Sequence, residues 1–207
     1  MRYITAKDNY IETVISKSRF LTYVYEIEDV EDAQQKLSVL RKKYYDSTHI
    51  CYAYISDTLG NEFKFSDDGE PAGTAGIPIY EAIKNGGYRR TLVAVVRYFG
   101  GIKLGAGGLV RAYSGCAAQC LDSADKGEFV SSIVYEICFD IGLYSKVSRM
   151  LKGKSKILDQ IFLEKVTLKV AMPEETDLKF LEDGTCGQCK ITQISREFFD
   201  YGTNLQY

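Results

Sequence analysis

Three features are scarce in this sequence: histidine, long apolar runs and complete catalytic or metal-binding motifs. His49 is the single histidine in 207 residues, so one side chain of the type that exchanges protons near neutral pH is available, and no Ser–His–Asp arrangement is evident. No apolar run approaches the roughly 20 residues of a membrane-spanning helix. Residues 1–10 lack the apolar core of a signal peptide. These absences favour a cytoplasmic protein that makes no membrane contact.

The composition is that of an ordinary globular protein. Hydrophobic residues make up 45% of the chain and charged residues 26%, and the length suffices for one large domain or two small ones. The six cysteines are spread along the chain and indicate reduced thiols. A formal net charge of −2 argues against a protein that coats nucleic acid indiscriminately.

The distribution of charge is more informative than its sum. Residues 82–121 and 143–157 contain no Asp or Glu. The first segment carries Lys84, Arg89, Arg90, Arg97, Lys103 and Arg111, and the second carries Lys146, Arg149, Lys152, Lys154 and Lys156. Two basic zones on an acidic chain are typical of a positioned contact with an anionic partner, and also of simple solvated faces. The candidate nucleic-acid contacts are Arg89, Arg90, Lys146, Arg149 and Lys152.

A glycine-rich segment joins a strand pattern, residues 91–99, to a helix pattern, residues 109–121. Its five glycines are Gly100, Gly101, Gly105, Gly107 and Gly108. A strand that enters a helix through glycines leaves backbone N–H groups free to bind an anion, and Arg97, Lys103 and Arg111 would add positive charge. The segment therefore predicts a phosphate or carboxylate site. Close backbone packing or positive φ angles would require the same glycines without any ligand.

Two nucleotide-binding motifs are excluded at this segment. A Walker A loop ends in Gly-Lys-Ser/Thr, whereas Gly105 is followed by Ala106 and Gly107. A dinucleotide fingerprint that started at Gly105 would place glycine or alanine at position 110, which is Val110. The sequence therefore predicts neither ATP hydrolysis nor a nucleotide cofactor.

An acidic loop precedes the glycine-rich segment. Asp67, Asp68 and Glu70 place three carboxylates within four positions around Gly69. A divalent cation would accept such ligands, but EF-hand spacing is absent, and Asp-Gly and Glu-Pro pairs are ordinary turn residues. The sequence favours a turn over a metal site. Pairing with the basic segment 97–111 is an alternative role.

Two further constellations involve cysteine. Cys186 and Cys189 have CxxC spacing, but a second half of a zinc site is missing and the pair precedes a strand, so we predict a turn with two free thiols. His49 and Cys51 share one face of a strand, which does not place a base behind a nucleophile. We predict no catalytic residue, no metal and no cofactor.

Periodicity predicts an α+β chain with two domains, residues 1–125 and 130–207. The first half gives strands at residues 10–16, 19–27, 48–55, 61–65 and 91–99, helices at residues 29–45 and 109–121, and a helix through Ile79 and Ile83. The second half gives a strand, a helix, two strands, a helix and a strand, at residues 133–141, 144–151, 156–162, 165–171, 174–182 and 190–201. This order is the βαββαβ pattern of ferredoxin-like domains.

Four motifs together resemble the YigZ/IMPACT family. They are Ser18-Arg-Phe20, His49-Ile-Cys-Tyr-Ala-Tyr54, Ser66-Asp-Asp-Gly-Glu-Pro71 with Gly73-Thr-Ala-Gly76, and Val95-Val-Arg-Tyr-Phe-Gly-Gly-Ile-Lys-Leu-Gly105. The resemblance covers about residues 16–122. It implies an N-terminal mixed sheet with two helices on one face, a fold that recurs in translation factors and ribosomal proteins. The C-terminal segment is similar to the last domain of elongation factor G.

The resemblance also implies a role in translation. Eukaryotic relatives are translation regulators that bind a large ribosome-associated protein, which activates the amino-acid-starvation kinase. For bacterial members it implies contact with nucleic acid or the ribosome. We therefore expect a cytoplasmic regulatory protein whose partner is RNA, the ribosome or a translation protein. The alternative is an enzyme that acts on a small phosphorylated or dipeptide-like substrate at the glycine-rich loop.

Overall fold

The computed structural model describes residues 2–200 and confirms the expected α+β class. The chain divides into two compact units, residues 3–127 and residue 128 onward. The first half contains the strands β1 (Arg2–Ala6), β2 (Asn9–Ile15), β3 (Ser18–Glu26), β4 (His49–Ile55), β5 (Phe63–Ser66) and β6 (Thr91–Tyr98) and the helices α1 (Val30–Lys43), α2 (Gly76–Asn85) and α3 (Gly105–Ser123).

The N-terminal unit is built on a five-stranded sheet in the order β2-β3-β6-β4-β5. Every neighbouring pair in it is antiparallel, which corrects the expected mixed sheet. The connection through α1 makes β3 and β4 parallel, but β6 lies between them and runs the opposite way. This insertion removes the parallel pairing that a crossover helix would otherwise produce.

Helices cover both faces of this sheet. The expected pair, α2 and α3, packs on one face against Phe20, Cys51 and Val95. α1 packs on the opposite face through Ala33, Leu37 and Leu40. Seven of the eight residues of β6 are therefore buried, which explains its continuous apolar sequence.

The connections fix the directions of α2 and α3. Both helices are joined to β6 by short segments, residues 86–90 and 99–104, and both pack on the same face. Each therefore runs antiparallel to β6, and the two helices run parallel to each other. Both begin at the end of the sheet where β6 ends.

The C-terminal unit has the ferredoxin-like order. Its elements are β7 (Lys126–Asp140), α4 (Tyr144–Leu151), β8 (Lys156–Phe162), β9 (Lys165–Pro173), α5 (Lys179–Thr185) and β10 (Lys190–Asp200). The strands of this unit pair antiparallel in the order β10-β7-β9-β8, and β1 also pairs with the long β7, which makes the sheet five-stranded. Val147 and Leu151 of α4 and Leu181 of α5 are buried against the sheet in one apolar core.

Two element starts in this unit differ from the sequence prediction. β7 begins at Lys126, inside the polar segment expected to separate the domains. α5 begins at Lys179 and not at residue 174, because Thr176 closes a turn on the carbonyl of Pro173 and Asp177 accepts from the N–H of Lys179. The predicted last strand includes residue 201, which lies outside the described residues.

Membrane insertion finds no support in the helices. Within residues 2–200, no helix combines the length and the apolar character that a bilayer-spanning segment needs.

Candidate functional site

Residues from four separate sequence motifs meet at one end of the N-terminal sheet. β3 begins there with Ser18, β4 begins with His49, and β6 ends near Arg97, which pairs in register with His49. The acidic loop supplies Glu70, and α3 supplies Tyr113. These five residues, together with Cys51, form what we call the polar cluster.

The centre of the polar cluster is an ion pair between Arg97 and Glu70. Arg97 Nη1 donates to Glu70 Oε1, and the two side chains are 5% and 4% exposed. Arg97 Nη2 also donates to Ser18 Oγ at 3.3 Å, while Tyr113 donates its hydroxyl to Glu70 Oε1 at 2.8 Å. Arg97 therefore lies in the interior with a protein carboxylate as its anion. An anion at the surface would have to be bound by other basic side chains.

The other two carboxylates of the acidic loop also have structural partners. Asp67 Oδ1 accepts from the N–H groups of Ala75 and Gly76 at 2.9 and 2.8 Å, and Oδ2 accepts from Gly73 at 2.9 Å. Burial alone would raise the pKa of Asp67, but these three backbone hydrogen bonds outweigh it and lower the pKa. Asp67 thus caps the start of α2.

Asp68 completes the loop by holding it against β4. Its Oδ2 accepts from the N–H of Ile50 at 2.6 Å, and its backbone oxygen lies 2.7 Å from His49 Nδ1. Within residues 2–200, no group of three or more His, Cys, Asp or Glu side chains is placed to hold a metal ion.

The titratable groups of the polar cluster are poorly suited to nucleophilic chemistry. Burial raises the pKa of the Cys51 thiol to about 12, with the neighbouring carboxylates adding to the effect. Burial likewise raises the pKa of Tyr113. His49 bonds the backbone oxygen of Asp68 through Nδ1, so that nitrogen carries a proton, and Nε2 lies 4.0 Å from Glu70 Oε1. The cluster holds the sheet end and its loops together.

The glycines between β6 and α3 serve different purposes. A β-carbon on Gly100 would lie 2.0 Å from the carbonyl of Lys17, so this position requires close backbone packing. Gly101 and Gly105 have φ angles of +84° and +71° and face open space. Gly107 and Gly108 lie in the first turn of α3. Architecture thus accounts for Gly100 through close packing and for Gly101 and Gly105 through their positive φ angles, and a β-carbon on Gly108 would lie 3.0 Å from the Leu104 side chain. The exposed Gly107 leaves the backbone of the first turn of α3 accessible.

The exposed surface of this segment is aromatic, apolar and basic. We call residues 99–108 the glycine loop. Phe99 is 47% exposed and Ile102 44% exposed, and the side chains of Lys103 and Arg111 are exposed beside them in sequence. Within the described part of the chain, no side chain caps the start of α3, so its first N–H groups are available to an anion.

The structure separates the other predicted basic residues from the glycine loop. Arg89 and Arg90 precede β6, whose eight residues span about 23 Å at the usual rise of a strand. Arg89 donates to the backbone oxygen of Tyr88, and Arg90 donates to that of Ile27. Arg90 also lines a cavity of about 1000 Å³ that is rich in carboxylates, among them Asp8, Glu26, Glu28, Asp29, Glu31 and Asp32. Residues 82–121 are therefore not one continuous basic surface.

The second basic zone lies in the other unit. Lys146 and Arg149 are exposed on α4, and Lys152 is exposed just after it. This zone is therefore a surface of the C-terminal unit.

Sequence reasoning missed part of the polar cluster. Tyr113 lies on the buried apolar face of α3, a position typical of a core residue, and its hydroxyl contacts Glu70. Ser18 begins one of the four sequence motifs, and its hydroxyl oxygen accepts hydrogen bonds from both Arg97 and the N–H of Gly100. The spacing of single residues gave no signal for either contact.

Comparisons with known proteins agree with the motifs. Residues 16–121 match the family model "Impact N-terminal domain". IMPACT family member YvyE of Bacillus subtilis is 34% identical over 182 residues, covering 87% of this chain and 84% of that protein. IMPACT family member YigZ of Escherichia coli is 34% identical over 186 residues, covering 87% and 91%. A crystal structure described as that of a hypothetical protein aligns with a TM-score of 0.62 at 30% identity, covering 94% and 98% of the two chains. The chain therefore belongs to the IMPACT family, as its motifs predicted.

Proposed function

We propose that this chain is a cytoplasmic, translation-linked regulatory protein that acts by binding RNA, on the ribosome or together with a ribosome-associated protein. The observation that carries the proposal is the exposed surface of the glycine loop. An exposed aromatic ring, Phe99, lies in the same short segment as Lys103, close in sequence to Arg111 and the uncapped start of α3. Membership of the IMPACT family supports the connection with translation.

Each part of this surface matches a chemical group of RNA. Free N–H groups at a helix start bind phosphate oxygens, and so do basic side chains nearby. An exposed ring offers a face on which an unpaired base stacks. The guanidinium of Arg97 lies 5.6 Å from the centre of the Phe99 ring, which supports that ring from the interior side. Lys146, Arg149 and Lys152 would provide further phosphate contacts on the C-terminal unit.

The enzyme alternative has less support in the geometry. The Cys51 thiol is buried with a raised pKa, and the carboxylates of the acidic loop are occupied by Arg97 and by backbone N–H groups. A small phosphorylated ligand would use the same helix start as RNA. Inorganic phosphate therefore serves as a competitor in the experiment below.

Binding of a labelled RNA hairpin and cosedimentation with purified ribosomes, each at several salt concentrations, test the proposal. The variant Lys103→Glu/Arg111→Glu removes two phosphate contacts. We expect it to weaken binding and to flatten the slope of log K against log salt by about two units.

The matched control is Lys84→Glu/Lys126→Glu, which makes the same change of charge at the other end of the sheet, where α2 and α3 end. We expect this control to retain most of the binding. Equal losses in the two variants would refute the assignment to the glycine loop. Millimolar binding of both RNA and ribosomes, with phosphate bound tightly, would favour the small-molecule alternative.

A further inference from the structure

The face formed by α2 and α3 carries a groove that the proposed RNA contact does not use. An open groove of about 540 Å³ lies between the two parallel helices. α2 has ten residues, so the groove extends for about 15 Å along the helices. Ile77 of α2 and Val110 of α3 line it and remain 42% and 38% exposed. Covering these side chains would be favourable.

Neither the packing nor the backbone conformation of the N-terminal unit requires the glycine at position 115, inside α3. Gly115 lines the groove, and a β-carbon at this position would meet nothing within 4 Å. Its φ angle is not in the left-handed region. Glycine in a helix interior is less stable than alanine, so a glycine that neither packing nor conformation requires is unexpected. Close approach of a second molecule to the α3 backbone would require a glycine at this position. The small side chain of the neighbouring Ala118 leaves room for the same approach.

The charge of the groove indicates what that molecule carries. Among residues 2–200, Glu81 is the single charged side chain that lines the groove, and it is half-buried. Among the described residues it makes no salt bridge. An unpaired carboxylate on an apolar wall favours a partner that places a cation against it.

We propose that this groove binds a helix of a partner protein, about three turns long, with apolar residues at i, i+3 or i+4 and i+7 and a lysine or arginine against Glu81. A groove between two helices with a floor of small residues accepts a third helix in the way that amphipathic helices fill apolar grooves. The inference does not rest on RNA binding, because it uses other residues than the glycine loop.

The probe is a displayed library of 15-residue helical peptides, selected on the full chain. We expect enriched peptides to carry an apolar stripe and a basic residue. Gly115→Leu fills the groove and should weaken their binding about tenfold or more. Glu81→Lys should weaken binding about fivefold, and exchanging the basic residue of the peptide for glutamate should restore binding to this variant.

Controls separate blocking of the groove from unfolding. Gly115→Leu should melt no lower than the parent chain, because leucine favours helix more than glycine does. Ala118→Leu provides a second blocking variant. Gly142→Leu is the matched control, since an added side chain there also meets open space but lies in the other unit.

Three results would overturn the proposal. The first is a selection that enriches no helical motif, and the second is peptides that bind Gly115→Leu as well as the parent chain. The third is a dimer in sedimentation experiments that Gly115→Leu dissociates, since the groove would then be an interface between copies of this chain.

Discussion

Removing the charge of Glu70 should strongly destabilise the N-terminal unit. Glu70→Gln keeps the volume and an oxygen for the Tyr113 hydroxyl, but it leaves the guanidinium of Arg97 without an anion. The remaining polar partner of that guanidinium is Ser18 Oγ at 3.3 Å, with the rings of Phe20 and Phe99 at 5.4 and 5.6 Å. Because Arg97 is 5% exposed, water cannot replace the lost carboxylate. Breaking a buried pair from one side costs about 3–5 kcal/mol, and we expect a loss in that range.

A double-mutant cycle measures the interaction free energy between Glu70 and Arg97 separately from the contacts that each side chain makes with its surroundings. Arg97→Met removes the cation alone, and the double variant Glu70→Gln/Arg97→Met removes both charges. The double variant should lose less free energy of unfolding than the sum of the two single losses, by about 2 kcal/mol or more. Hydrogen exchange of β6 amides at increasing urea, read by mass spectrometry, reports the unfolding free energy of this unit alone.

The control for this cycle is a surface pair. Lys7 and Glu26 form a salt bridge whose side chains are 44% and 30% exposed, so Glu26→Gln should cost less than about 1 kcal/mol. A loss of under about 1 kcal/mol for Glu70→Gln, or strictly additive single losses, would refute the reasoning.

Three further predictions concern the cap of α2, the glycine loop and the thiols. Asp67→Asn should lower the free energy of unfolding by about 1–2 kcal/mol at neutral pH. Because folding lowers the pKa of Asp67 from its ordinary 3.8, the stabilisation by its carboxylate is present above that value and is lost as pH falls through the folded pKa. Acid titration of stability would show this loss. Gly100→Ala should cost about 3 kcal/mol or more in urea unfolding, because its β-carbon overlaps the Lys17 carbonyl. Cys186 should react quickly with an aromatic disulfide reagent at pH 8, whereas Cys120, whose pKa burial raises to about 11, should react only on unfolding.

Most helices and strands could be predicted from local sequence patterns. α1 shows why, since its acidic start, basic end and apolar stripe of Ala33, Leu37 and Leu40 all follow from sequence alone. Asp29 accepts from the N–H of Asp32 at 2.8 Å, as expected of a capping residue. Such features depend on residues within a few positions of each other.

The polar cluster could not be predicted in the same way, because it depends on strand order. Glu70 and Arg97 are 27 positions apart and meet only because β6 lies between β3 and β4. The same topology separates neighbours in sequence: Arg90 and Lys103 both belong to the segment without acids, yet the length of β6 lies between them. Charge patterns along a chain therefore do not reveal charge patterns on a surface.

The start of α3 and the basic end of α1 polarise the N-terminal unit along its strands. The start of α3, equivalent to about half a positive charge, lies at the glycine-loop end, whereas the carboxylate of Asp67 neutralises the start of α2 there. Arg41, Lys42 and Lys43 end α1 on that side, whereas Asp29, Glu31 and Asp32 begin it on the other. In the field of a polyanion such a body experiences a torque that turns its glycine-loop end forward before contact. The rate of association, and not only the affinity, should then depend on ionic strength.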